Sequence, residues 1–256
     1  MIENKILKEN QANLLANVEN YHLQYERVDF SSLSDTVILI KSGEVILKQC
    51  MINLNLLMRE SQLITAAVII DAGTTVSIDT CNFRGSSNFN TVGMVLRNAN
   101  MVMKNTIVSG FMSGGMMLYA KPNNIIKIYK SHIRSNKFFG IQILGNSNSP
   151  SIQYCNIENN HCVGIQICTA NKATIRKNVI SLNHTGIEVI SSDPNVIEND
   201  ISHNHRGGIL VNSIENLIAM PKIHTNKIFS NNGHGIECIG MGNKAILSRN
   251  QISFNK

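Results

Sequence analysis

From about residue 36 onward, apolar and polar side chains alternate at period two over short runs, as at Ile141 and Ile143, Ile165 and Ile167, and Ile187 and Val189. Alternation over so few residues predicts short strands with one buried face, and the two apolar stripes of a helical repeat are missing. The runs recur. G-I-x-I/V begins at Gly140, Gly164, Gly186, Gly208 and Gly235, at spacings of 24, 22, 22 and 27 residues, with degenerate copies at Gly93 and Gly115. Between these anchors falls I-x-x-N-x-I-x-x-N, in "IRKNVISLN" (175–183), "IHTNKIFSN" (223–231) and "LSRNQISFN" (247–255).

A unit of about 23 residues has room for three short strands and three turns. No such unit buries its own apolar side, so units must stack, strand above strand at roughly 4.8 Å. The predicted fold is all-β, a single-stranded parallel β-helix of about nine coils over residues 36–256. The preferred hand of parallel crossovers makes it right-handed.

Aligned on the repeat, the first Asn position holds Cys50, Cys81, Asn105, Ser131, Cys155, Asn178, Asn199, Asn226 and Asn250. The second holds Asn55, Ser86, Gly110, Asn136, Asn160, Asn183, Asn204, Asn231 and Asn255. A side-chain amide both donates and accepts, so two asparagine ladders are expected at the corners. Asn also tolerates the left-handed backbone that tight corners need. Cys50, Cys81 and Cys155 become small corner fillers, which removes them from any metal proposal.

Residues 1–35 lack the repeat. "IENKILKENQANLLANVE" places Ile2, Ile6, Leu14 and Val18 at helical spacing, which predicts an amphipathic helix capping the first coil. The chain stops at "ISFNK", on the second ladder position, and the expectation is that this end is covered by a protein partner or that the natural chain continues.

Composition narrows the function classes. With 43% hydrophobic and 16% charged residues in 256, the chain has a core rather than disorder. The start has no 7–15-residue apolar run and no stretch reaches about 18 apolar residues, so neither a secretory signal nor a membrane helix is expected and a cytoplasmic location follows. Six cysteines without a CxxC pair predict reduced thiols. The formal charge of +6 is densest at Lys121, Lys127, Lys130, Arg134 and Lys137, read as a solvated face. Aromatics make up 5% and Trp is absent, so the stacking platforms of a nucleic-acid partner are sparse.

Candidate chemistry lies on the outward row of the G-I-x-I strand, Met117, Gln142, Gln166, Glu188, Leu210 and Glu237. Glu188 and Glu237, two coils apart, suit the acid and base of a polysaccharide hydrolase that inverts its substrate. A calcium-dependent lyase would need an Asp cluster, which is absent. His161, His184 and His205 follow the second ladder in successive coils and form a candidate transition-metal site. Lys137 and Asn232 in the same column favour a plain turn, and no cofactor is expected. "NNGHGIE" (231–237) is similar to one motif of polygalacturonase-type hydrolases, but the companion Asn-Thr-Asp, Asp-Asp and Arg-Ile-Lys motifs are missing.

The units, above all "GIQILGNSNSPSIQYCNIENNHCVGIQI" (140–167), resemble the parallel β-helix repeats of the carbohydrate-binding and sugar hydrolase-like (CASH) group. That group includes NosD copper-maturation proteins and intracellular eukaryotic β-helices, among them those of an F-box ubiquitin-ligase receptor and a spindle-associated Shc-binding protein. The resemblance covers about residues 36–256 and implies a protein-binding scaffold; no F-box is found in the first 35 residues. The leading expectation is therefore a non-enzymatic, cytoplasmic scaffold in a cytoskeletal or ligase-type assembly. The alternative is a carbohydrate-active enzyme, hydrolase or lyase, acting on the outer strand face through Glu188 and Glu237.

Overall fold

The computed structural model describes strands at 4–7, 22–26, 29–32 and 38–40 and, from residue 43 on, all residues except 55–64, 87–89, 146–148, 170–171 and 215–216. No helix occurs among the described residues. The strands form three parallel sheets. The first runs from Asn4–Leu7 to Ile246–Ser248 with eleven strands, the second from Asp29–Ser32 to Gln251–Ser253 with ten, and the third from Ile38–Ile40 to Ile236–Ile239 with nine.

Each coil visits the three sheets in turn. Thr174–Arg176, Val179–Ser181 and Thr185–Ile190 make one coil, and Asn195–Ile197, Asp200–Ser202 and Gly207–Asn212 the next. They stack in register, with Ile175 against Val196, Ile180 against Ile201 and Ile187 against Ile209. The inward positions therefore form columns such as Ile133, Ile157, Ile180, Ile201 and Ile228, all buried. β-Branched side chains fit this pleated surface, and burying each contributes about 1.5–3 kcal/mol.

Both ladders are present. In the second, each amide from Asn136 to Asn231 donates to the Oδ1 of the next coil at 2.9–3.2 Å. That oxygen also accepts the backbone N–H of the residue below it, as Asn160 Oδ1 does from Asn136 at 3.2 Å. Cys155 sits buried in the first ladder one coil before its run of asparagines, its N–H donating to Asn178 Oδ1 at 2.9 Å.

Two rungs read from the sequence are one residue off. Thr106, not Asn105, occupies the first ladder, with its Oγ1 accepting the Cys81 N–H at 3.3 Å. Phe111, not Gly110, occupies the second, its N–H donating to Asn136 Oδ1 at 3.1 Å. Nor does the ladder asparagine supply the left-handed backbone: the residue before it does. Lys177 (φ 54), Leu182 (φ 57), Glu198 (φ 55) and His203 (φ 55) precede Asn178, Asn183, Asn199 and Asn204. The N–H groups of Lys177 and Glu198 still donate to the next coil, to Ile197 O at 3.1 Å and His224 O at 3.3 Å, so the sheet hydrogen bonding continues round that corner.

The glycine anchors have a separate cause. A Cβ on Gly164 would lie 2.6 Å from Gly186 O and 2.9 Å from Asn183 Nδ2. The ladder amide occupies the space that a side chain would need.

The coil count departs slightly from nine, since the three sheets differ in strand number. The expected N-terminal helix falls mostly outside the described residues, and its described part, Asn4–Leu7, is instead a strand paired in parallel with His22–Glu26. A strand gains hydrogen bonds along a whole sheet edge, which outweighs a broken helical stripe.

Candidate active site

On the third sheet the outward row is as read: Met117, Gln142, Gln166, Glu188, Leu210 and Glu237 pair coil by coil. Gln142 Nε2 donates to Gln166 Oε1 at 2.5 Å, and Gln166 Nε2 donates to Glu188 Oε2 at 2.7 Å. This outer chain of amides ends on the Glu188 carboxylate and fixes its orientation. Glu188 and Glu237 are two rungs apart, so about 9–10 Å separates their backbones. Leu210 between them is only 6% exposed and forms an apolar floor.

The strands before the G-I-x-I anchor add what the sequence reading missed. Thr185, Arg206, Gly207, Leu210, His234 and Glu237 line one small hollow at the edge of this row. Arg206 Nη2 lies 3.6 Å from Glu237 Oε2. Gly207 leaves the hollow open, since a Cβ there would come within 3.0 Å of His234 O. His234, the centre of the Gly-His-Gly string and read as a turn residue without a partner, lines this hollow together with Arg206 and Glu237. The signal available was positional: Arg206 lies two residues, and His234 one residue, before the anchor glycine of its own coil.

Cys168 lies one row over. Burial pushes its thiol up, and the negative charge of Glu188 adds to that, bringing it to about 11. A cation near the row would offset this charge; Arg206 stands with Glu237 instead.

The histidine column is placed as expected, with His161 N donating to Asn136 O and His205 N to Asn183 O. His161, His184 and His205 are all exposed, and no group of three His, Cys, Asp or Glu side chains able to hold a metal ion occurs among the described residues. The basic stretch divides among faces: Lys127 on the first sheet, Lys130 at a corner, Arg134 on the second sheet.

Known proteins share this architecture. Residues 66–218 and 128–256, in two overlapping matches, fit the right-handed β-helix region family. No curated protein sequence matches. Among solved structures, the periplasmic alginate epimerase AlgG is similar, with a TM-score of 0.62 and 11% identity over 91% of this chain and 77% of that one. The A-module of Azotobacter vinelandii mannuronan C-5 epimerase AlgE4 has a TM-score of 0.57 and 12% identity over 92% of this chain and 87% of that one.

At such identity the likeness shows a shared fold. It also withdraws two expectations. The two structures named are epimerases of alginate and mannuronan, and AlgG is periplasmic, so neither the expected non-enzymatic scaffold nor the expected cytoplasmic placement is carried further. The family is broader than the CASH group, and it settles the hand of the coil: this chain belongs to the right-handed β-helix family.

Proposed function

We propose that this chain is a carbohydrate-active enzyme that modifies a polysaccharide on the outer face of the third sheet by acid–base chemistry. One observation carries the reading: Arg206, His234 and Glu237 converge on one hollow, with the amide-held Glu188 two rungs away on the same face. Acid–base catalysis needs a donor and an acceptor on opposite sides of the reacting bond, and two carboxyl groups spaced across a coil provide that arrangement. Arg206 adds a fixed positive charge that steadies negative charge developing on the substrate. The likeness to alginate epimerases supports a polysaccharide substrate and, with it, an extracytoplasmic setting.

A panel of neutral and acidic polysaccharides tests this with three readouts. Hydrolysis releases reducing ends, elimination creates an ultraviolet-absorbing double bond, and epimerisation exchanges a sugar C–H with deuterated solvent without shortening the chain. Turnover on at least one polysaccharide is expected, with a fall of about 10²–10⁴ in Glu188→Gln or Glu237→Gln, the usual contribution of a general acid or base. No change in any polysaccharide, or full turnover in both variants, would sink the reading.

A further inference from the structure

The outer face of the second sheet carries a separate polar groove. Strands Asn82–Arg84, Ile107–Ser109 and His132–Arg134 pair in parallel, with Arg84, Ser109 and Arg134 in one row. The two arginines therefore stand two rungs apart, about 9–10 Å along the axis. Both are exposed, and neither has an ion-pair partner among the described residues. The groove between them has a volume of about 520 Å³, and among the described residues no acidic or aromatic side chain lines it. Glu158, beside Arg134 in the next coil, is taken by His132, whose Nε2 lies 2.7 Å from its Oε1.

Two glycines deepen the floor. A Cβ on Gly85 would lie 2.5 Å from Gly110 O, and Gly110 itself has a φ of +76°. Neutral Ser109 stands in the row between the charges, and Asn82 lines the groove two residues along the strand. Two uncompensated guanidinium groups on a straight polar track are a receptor for an extended ligand that carries negative charge at intervals.

We infer that this groove binds an acidic polysaccharide, holding two of its carboxylate or sulfate groups on Arg84 and Arg134 and hydroxyl groups on Asn82 and Ser109. The inference rests on the proposal of a saccharide substrate and places a second contact for the same chain away from Glu188. Single-stranded nucleic acid is also polyanionic, but among the described residues that line the groove there is no ring on which a base could stack.

Calorimetric titration tests this with four probes of matched length: oligogalacturonate, a sulfated heparin fragment, neutral cello-oligosaccharide and single-stranded DNA. The variants are Arg84→Ala, Arg134→Ala, the double variant, and Lys227→Ala as a control on the same sheet. At least one acidic saccharide is expected to bind, about tenfold more weakly in each single arginine variant and more weakly still at higher salt. The two acidic probes separate carboxylate from sulfate recognition. Turnover of the same saccharides is followed separately in the arginine variants, so binding and turnover can fail independently. Undiminished binding in the double variant, equal binding of the neutral probe, tighter binding of DNA, or an equal loss in Lys227→Ala would each overturn the inference.

Discussion

Asn178 donates its Nδ2 to Asn199 Oδ1 at 3.0 Å, and the same oxygen accepts the Asn178 backbone N–H at 3.0 Å. Asn178 in turn serves the coil below, giving Nδ2 to Ile152 O at 3.0 Å and accepting the Cys155 N–H at 2.9 Å. One side chain thus joins three coils. In Asn178→Ala the Cys155 N–H and Ile152 O lose their side-chain partner while buried, at about 1–3 kcal/mol for each group left unpaired. Urea unfolding should show a loss of about 2–4 kcal/mol. Asn255→Ala, at a rung that is only half-buried, should lose less than half as much, and equal losses would mean that ladder burial is irrelevant.

Leu182 has a φ of 57° with a side chain that is 41% exposed. A left-handed backbone costs an ordinary L-residue roughly 1–2 kcal/mol, and Asn bears it better because its short side chain bonds locally. Leu182→Asn should therefore raise stability by about 0.5–1 kcal/mol, since little buried area is given up. A lower unfolding midpoint would show that the half-covered leucine contributes more than the strain removes.

The repeat made the coils legible because Ile and Gly recur wherever a core column or a ladder amide demands them. The outward position of Glu188 and Glu237 followed from the same register. Thr106 and Phe111 escaped because neither resembles the Asn whose rung it fills. The left-handed column escaped for a deeper reason: Lys177 and Glu198 are held in it by hydrogen bonds to the next coil, not by local preference. Arg206 with His234, and Arg84 with Arg134, come together only through stacking of coils of unequal length, which a single repeat does not show.

Gly164 lies where a Cβ would meet Gly186 O at 2.6 Å and Asn183 Nδ2 at 2.9 Å. The first neighbour is backbone and the second is tied to Asn204 Oδ1 at 3.2 Å, so neither yields cheaply. Gly164→Ala should cost about 1–3 kcal/mol by overpacking alone, in thermal or urea unfolding. A neutral outcome would mean that the coil spacing can widen locally.

Cys168 reports on Glu188. Its thiol is held up to about 11 by burial and by that carboxylate. A raised value means that the folded chain keeps the proton more tightly than the unfolded one. The associated stability is complete below the unfolded thiol value, about 8.5, and is lost as pH rises through the folded value. At pH 8 the reactive thiolate is scarce, so a thiol reagent should label Cys168 far more slowly than the exposed Cys162. Glu188→Gln removes the negative charge and should speed Cys168 labelling severalfold with Cys162 unchanged. Equal rates in variant and wild type would show that burial alone protects the thiol.

Arg206 separates function from stability. Its side chain is 48% exposed and that of Glu237 33%, with 3.6 Å between Nη2 and Oε2. An ion pair so open to water contributes roughly 0.2–1 kcal/mol, because solvent screens the attraction and two long side chains must be ordered. Arg206→Ala should therefore shift the unfolding free energy by less than about 1 kcal/mol. Turnover is another matter. If Arg206 steadies negative charge on a bound saccharide, its removal leaves Glu237 without a neighbouring cation beside His234. Turnover should fall by about 10²-fold, the effect of removing one electrostatic stabiliser. Arg206→Lys, which keeps the charge but not the planar fork, should recover only part of the loss. An alanine variant as active as the wild type would remove Arg206 from the site, whereas an unfolded one would show that the pair holds the coil together.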